Sequence, residues 1–210
     1  VLTQINRMLA RYSDKPAAQR LVNKITEPYL GVAEAHFARA QAAHGANDNT
    51  MARTELDRAL ALRPDWEQAA LIRAQLTTNS AEAAKFLGEF VATNPKASDA
   101  RLGYARSLVT EKRYPDARQQ FQVLLAEKGN SGDMLYAVAV LSLQLNDFDE
   151  AEKHLKRLIE TNHTEINSAR LYLGQIAEER KNWEEALQWY GQVESGNQYL
   201  PARVRMAQLL

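Results

Sequence analysis

The sequence predicts an all-α solenoid of antiparallel helix pairs, about 13 helices in all. Three observations carry this. A small residue recurs at Ala18, Ala52, Ala83, Ala117, Ala151 and Ala186, at intervals of 34, 31, 34, 34 and 35 residues, the length of one helix–turn–helix unit. Around the last three alanines the chain aligns position by position. An aromatic stands three residues before (Tyr114, Phe148, Trp183), a bulky apolar residue four after (Phe121, Leu155, Tyr190) and a small residue 12 before (Ala105, Ala139, Gly174). Pro64 and Pro95 each fall 12 residues after an alanine, where proline ends a second helix because it cannot continue the ladder.

Taken in order, residues 1–32 read as a degenerate first repeat, with helices near 1–12 and 16–27 around Ser13-Asp14-Lys15-Pro16. Five repeats follow at 33–66, 67–97, 98–131, 132–166 and 167–200, and 201–210 opens another first helix. The second repeat is three residues short, and a tighter turn at Thr77-Thr78-Asn79 accounts for the loss. Gly129-Asn130-Ser131-Gly132-Asp133 has the glycines of a phosphate loop but lacks its Gly-Lys-Ser/Thr ending, and it falls at a repeat boundary, so it reads as a turn. No Gly/Ser-rich linker interrupts the pattern, and residues 1–210 are expected to form one continuous solenoid domain.

With these positions in place, residues 33–200 resemble the tetratricopeptide repeat family. That resemblance implies a right-handed superhelix whose first helices line a concave groove. In the family register the groove positions are Gln41, Gln75, Arg106, Val140, Gln175 and Gln208, with Phe37, Leu71, Leu102, Tyr136, Leu171 and Val204 one turn earlier on the same face. A row of amides offers donors and acceptors to the backbone of an extended peptide, and the apolar row offers pockets between them. The alternative is that the apolar row packs adjacent helices and the glutamines are simply good helix formers. Family members that clamp a terminal carboxylate use Lys, Asn and Arg here. This chain has Phe, Leu or Tyr at the lysine position and only Arg106 as a cation, so such tails are not its expected ligands.

Two segments resemble a narrower group. These are Leu62-Arg63-Pro64-Asp65-Trp66-Glu67-Gln68-Ala69-Ala70-Leu71-Ile72-Arg73-Ala74-Gln75-Leu76 and the stretch from Tyr172-Leu173-Gly174-Gln175-Ile176-Ala177-Glu178-Glu179-Arg180 through Trp183-Glu184-Glu185-Ala186 to Tyr199-Leu200-Pro201-Ala202. Both look like tetratricopeptide lipoproteins on the periplasmic face of the Gram-negative outer membrane. One of these links a processing protease to its substrates. The resemblance implies a periplasmic, outer-membrane-associated adaptor. The chain starts at Val1, and a leader or lipid anchor upstream is expected.

Composition narrows the remaining functions. The chain has 26 basic and 26 acidic residues and no cysteine, so neither a basic stripe for nucleic acid nor thiol chemistry is expected. Its longest apolar run, Ala137 to Leu141, is far short of the roughly 20 residues that span a bilayer. His36, His44, His154 and His163 form no metal-binding spacing and read as surface or groove residues. Neighbouring pairs such as Glu178-Glu179 point about 100° apart on a helix and do not converge. No enzyme activity, metal or cofactor is expected. A protein- or peptide-binding scaffold is the favoured function, with a processing protease as one partner. The alternative is a self-assembling module, including a homodimer through the ends, where Val204, Met206 and Leu209 would lack a covering helix.

Overall fold

The computed structural model describes residues 14–129, 131–161 and 163–210. Among them are twelve α-helices, a single-turn 3-10 helix at Glu27–Tyr29 and no strand. The helices are α1 (Lys15–Thr26), α2 (Ala33–Gly45), α3 (Asn49–Leu62), α4 (Glu67–Gln75), α5 (Ser80–Thr93), α6 (Ser98–Thr110), α7 (Tyr114–Lys128), α8 (Gly132–Gln144), α9 (Phe148–Ile159), α10 (Ile166–Glu179), α11 (Trp183–Gly191) and α12 (Tyr199–Leu209). The thirteenth expected helix, near 1–12, lies outside the described residues. The chain divides into two compact units, Val1–Glu111 and Lys112–Leu210. Within each, consecutive helices pack against one another: α1 to α6 in the first unit, α7 to α12 in the second.

The recurring alanines are the contact points. All six are buried, as is the apolar residue four positions on in each case: Val22, Leu56, Leu87, Phe121, Leu155 and Tyr190. Residues four apart on a helix share one face, so an alanine lets the partner backbone in while its larger neighbour fills the space beside it. Each such apolar side chain contributes on the order of 1.5–3 kcal/mol by leaving water.

Five of the six described second helices start on a side-chain cap four residues before the alanine. Asp14 accepts from the Ala17 amide at 2.9 Å, Asp48 from Met51 at 3.0 Å and Asn79 from Glu82 at 3.1 Å. Asp147 accepts from Glu150 at 3.3 Å and Asn182 from Glu185 at 3.5 Å. Each satisfies an amide that has no partner inside the helix. Arg113 occupies this position before α7 without capping it, and Pro115 in the first turn instead fixes φ in the helical range. Immediately before the cap, Asn47, Lys112, Asn146 and Lys181 take positive φ of 57–61°. After Asn47, Asn146 and Lys181, the next amide returns to a carbonyl five residues back: Asp48 to Ala43, Asp147 to Ser142, Asn182 to Ala177. These are Schellman turns, which close the first helix with its own carbonyls.

The short repeat departs from the expected tight turn. Its residues are missing from the helix: α4 has 9 residues, whereas α2 and α6 have 13, and four residues, 76–79, connect it to α5. Thr77 explains the early stop. Its hydroxyl donates to the Arg73 carbonyl at 3.1 Å while its amide turns to Ala74 at 3.0 Å, so the side chain replaces the next helical hydrogen bond.

Two histidines correct the surface expectation. His36 and His154 are buried. The His36 Nδ1 lies 2.6 Å from Glu55 Oε2, and Nε2 lies 2.9 Å from the Leu30 carbonyl. Glu55 is 0 % exposed and accepts a second bond, 2.6 Å, from Arg58 at its solvent end. The imidazole thus ties α2, α3 and the segment before α2 together, and the carboxylate is buried but paired on both oxygens, as burial of a charge requires. His154 lies 2.8 Å from Glu150 within α9.

At Gly174 on α10 the lack of a side chain makes room for a ring of the neighbouring helix. A methyl group there would sit 2.3 Å from Cε1 of the buried Tyr190 on α11. Gly174→Ala is therefore expected to lose about 1–3 kcal/mol through overpacking. Gly191→Ala, where nothing lies within 4 Å, is expected to gain up to about 1 kcal/mol from helix propensity. Thermal melting of the two variants reads both signs.

Candidate peptide-binding cleft in the second unit

Helices α8 and α10 open between them a cleft of about 470 Å³, within the roughly 300–1,000 Å³ range of ligand sites. Val140, Leu143 and Gln144 come from the last turns of α8, and Tyr172, Gln175, Ile176 and Glu179 from α10. Asn146 in the turn and Phe148 at the start of α9 complete it. Val140, Leu143, Phe148 and Ile176 give an apolar lining. Gln144, Asn146, Gln175 and Glu179 bring polar groups, and among the described residues none of these four side chains has a hydrogen-bond partner. The left-handed Asn146 and the cap Asp147 turn the chain sharply enough to bring Phe148 beside the end of α8.

Beside the cleft stands a hydroxyl cluster. Tyr136 on α8 neighbours Tyr172 and Ser168 on α10, and the Ser168 hydroxyl donates to Glu165 at 2.7 Å. Burial, then the neighbouring Tyr172 phenol and the Glu165 charge, push the Tyr136 phenol up to about 12. On the far side of α10, burial and the Glu178 carboxylate raise Tyr190, whose hydroxyl donates to Glu178 at 2.5 Å.

Acidic residues of α9 and its cap are already paired. Asp147 accepts from Arg118 at 2.6 Å, and this bond holds its carboxyl below the ordinary range. Burial raises the Glu150 and Glu152 carboxyls, but hydrogen bonds outweigh it and both end lowered: His154 and Lys153 act on Glu150, Lys156 and Arg180 on Glu152. Arg180 is committed to Asp149 at 2.5 Å and to Glu152.

The expected groove residues divide between the two units. In the second, Val140 and Gln175 line the cleft, while Tyr136 is not among the lining residues and neighbours Tyr172, which is. Leu171, 6 % exposed, packs with Ala186, Tyr190 and Ala202 and serves the core. Gln208 is exposed on α12. In the first unit, Phe37 is buried, with its ring stacked 4.4 Å from that of Trp66. Leu71 and Leu102 are half-buried, and Leu71 lies against Gly103. Gln75 and Arg106 are exposed. Gln41 Oε1 is buried without a hydrogen-bond partner. The sequence reading missed Gln144 and Glu179, although each lies four residues beyond a position it chose, Val140 and Gln175. Tyr172, three before Gln175, follows from the same helical spacing.

The raised Tyr136 phenol gives a pH dependence. Unfolded, it ionises near 10. Folded, it holds its proton to about 12. Its contribution to stability is therefore complete below pH 10 and lost as pH rises through about 12. Denaturant unfolding between pH 10 and 12 should show stability falling more steeply with pH for the unmodified protein than for Tyr136→Phe.

Among the described residues, no helix is long and apolar enough to cross a membrane, and no group of three or more His, Asp and Glu residues could hold a metal ion. No curated protein matches the sequence. Solved structures do resemble it. A chain of the Naa15/Naa10 complex bound to HypK-THB matches with a TM-score of 0.71 and 16 % identity, over 100 % of this chain and 34 % of that one. Pseudomonas aeruginosa pilF matches with a TM-score of 0.61 and 15 % identity, over 97 % and 96 %. YrrB, described as a TPR protein with an unusual peptide-binding site, matches with a TM-score of 0.57 and 16 % identity, over 84 % and 88 %. Tetratricopeptide repeat profiles match residues 79–141 and 136–198, together more than half of the 210 residues. Proteins with these repeats bind protein partners. With its paired helices, buried small residues and two matching profiles, this chain belongs to the tetratricopeptide repeat family.

Proposed function

We propose that the chain is a non-catalytic scaffold that captures an extended polypeptide segment in the α8–α10 cleft. The observation that carries this is the pairing of an apolar lining with amides that have no partner in the free protein. A peptide in extended form exposes its own amides and carbonyls, which the Gln144 and Gln175 side chains can meet on both counts. Its apolar side chains then leave water against Val140, Leu143 and Phe148. The description of YrrB as a peptide-binding protein of the same fold supports this use of the architecture.

The segments at 62–76 and 172–202 support a finer reading, a periplasmic adaptor at the outer membrane that brings substrates to a processing protease. Its test is whether the purified chain accelerates substrate cleavage by a carboxyl-terminal processing protease in vitro. Leu200, 69 % exposed, and Val204 on α12 favour a second reading, self-association through that helix. Sedimentation velocity over a concentration series tests it, and a monomer throughout removes it.

For the peptide reading, a ligand is selected from a displayed random-peptide library on the immobilised protein. Replacing Gln144 and Gln175 together by alanine should then cost about 2 kcal/mol of binding, roughly 30-fold in Kd. Melting should be unchanged, because neither side chain holds another part of the fold. Unaltered affinity would place the ligand elsewhere.

A further inference from the structure

Among the residues that line the cleft, Glu179 alone carries a charge. It is exposed at the end of α10, and among the described residues it has no ion-pair partner. The next carboxylate along, Glu178, is occupied by the Tyr190 hydroxyl and by Arg205 at 3.4 Å. The adjacent guanidinium, Arg180, is bound to Asp149 and Glu152.

The backbone reinforces the sign. Gln144 is the last residue of α8 and Glu179 the last of α10, so two helix C-termini reach the cleft. The aligned peptide dipoles leave each of these ends partly negative, even with most of its last carbonyls bonded in the turn. The opposing N-terminus, that of α9 at Phe148, is capped by Asp147, itself paired with Arg118. A carboxylate beside two helix C-termini attracts a cation and repels a terminal carboxylate.

The remaining lining narrows the cation. Phe148 and Tyr172 bring aromatic rings, on which a planar guanidinium stacks. Gln144, Asn146 and Gln175 add side-chain carbonyl oxygens, matching a group with five N–H donors. Val140 and Leu143 give apolar surface for the three methylenes of its stem.

We propose that the cleft is a subsite for an arginine side chain of the bound polypeptide, with Glu179 as its counter-charge. This rests on the peptide-binding reading of the same cleft and adds its specificity. The probes are the N-acetyl, N-methylamide derivatives of arginine, its neutral isostere citrulline, and leucine. Each is titrated into the isotopically labelled protein and followed through the backbone amide resonances of Gln144, Tyr172, Gln175 and Glu179. The arginine derivative should bind about five- to tenfold more tightly than the citrulline derivative, and Glu179→Gln should abolish that difference without changing the melting temperature. Equal binding of arginine and citrulline, or a preference that survives Glu179→Gln, overturns the arginine subsite. If the leucine derivative alone moves these resonances, the subsite falls while the peptide-binding reading stands. If none of the three moves them, the library-selected peptide is titrated instead. Shifts at these four amides with that peptide keep the broader reading and discard the arginine subsite, and their absence overturns both.

Discussion

Two antiparallel helices can approach only as closely as the side chains at their crossing allow. Here that limit is set by an alanine or glycine at each crossing. Ala52, Ala117, Ala151 and Ala186 are wholly enclosed, and Gly174 leaves space that the Tyr190 ring occupies. Everything larger is placed by this contact. Leu56, Leu155 and Tyr190 fill the volume one turn beyond it. Tyr190 also reaches Glu178, at the end of α10 beside Glu179, so the close approach helps fix the helix end that borders the cleft.

The turns are the second constraint, and they work locally. A left-handed residue, a returning amide and an Asp or Asn cap settle the backbone groups that each helix end would otherwise leave unmatched. With the ends satisfied in this way, side chains nearby remain available. Asp147 is spent on its cap and on Arg118, and the α9 carboxylates on lysine, arginine and histidine partners. The side chains of Gln144, Asn146, Gln175 and Glu179, at the ends of α8 and α10 and the turn between α8 and α9, are among those left without partners.

The fold was largely legible because its signal repeats. An alanine at one position says little, but six in register with an apolar residue four places on define a helix pair. The caps were equally periodic, at Asp14, Asp48, Asn79, Asp147 and Asn182, yet they hide among ordinary polar residues and only geometry separates a cap from a surface side chain. The site was legible in part. Period gives a face, but packing decides which side of that face is covered. Leu171 and Phe37 carry the same spacing as Tyr136 and were absorbed into the core. The pairing of His36 with Glu55 escaped notice because it spans 19 residues and two helices. The contracted repeat was visible as a length. That the loss fell on α4 depended on one threonine hydroxyl.

The range of the side-chain hydrogen bonds has a further consequence. Those joining neighbouring hairpins span about one repeat, as in Arg118–Asp147, 29 residues apart, and Asn94–Pro64, 30 apart. Loop closure over such distances costs little more for one hairpin than for the next. A chain built this way has low contact order, so it can nucleate at any well-capped hairpin and grow outwards by adding neighbours. Damage to a single crossing is then felt first by the hairpins on either side. The protein comes apart in segments, with its least well-capped turn the natural place for a break to begin.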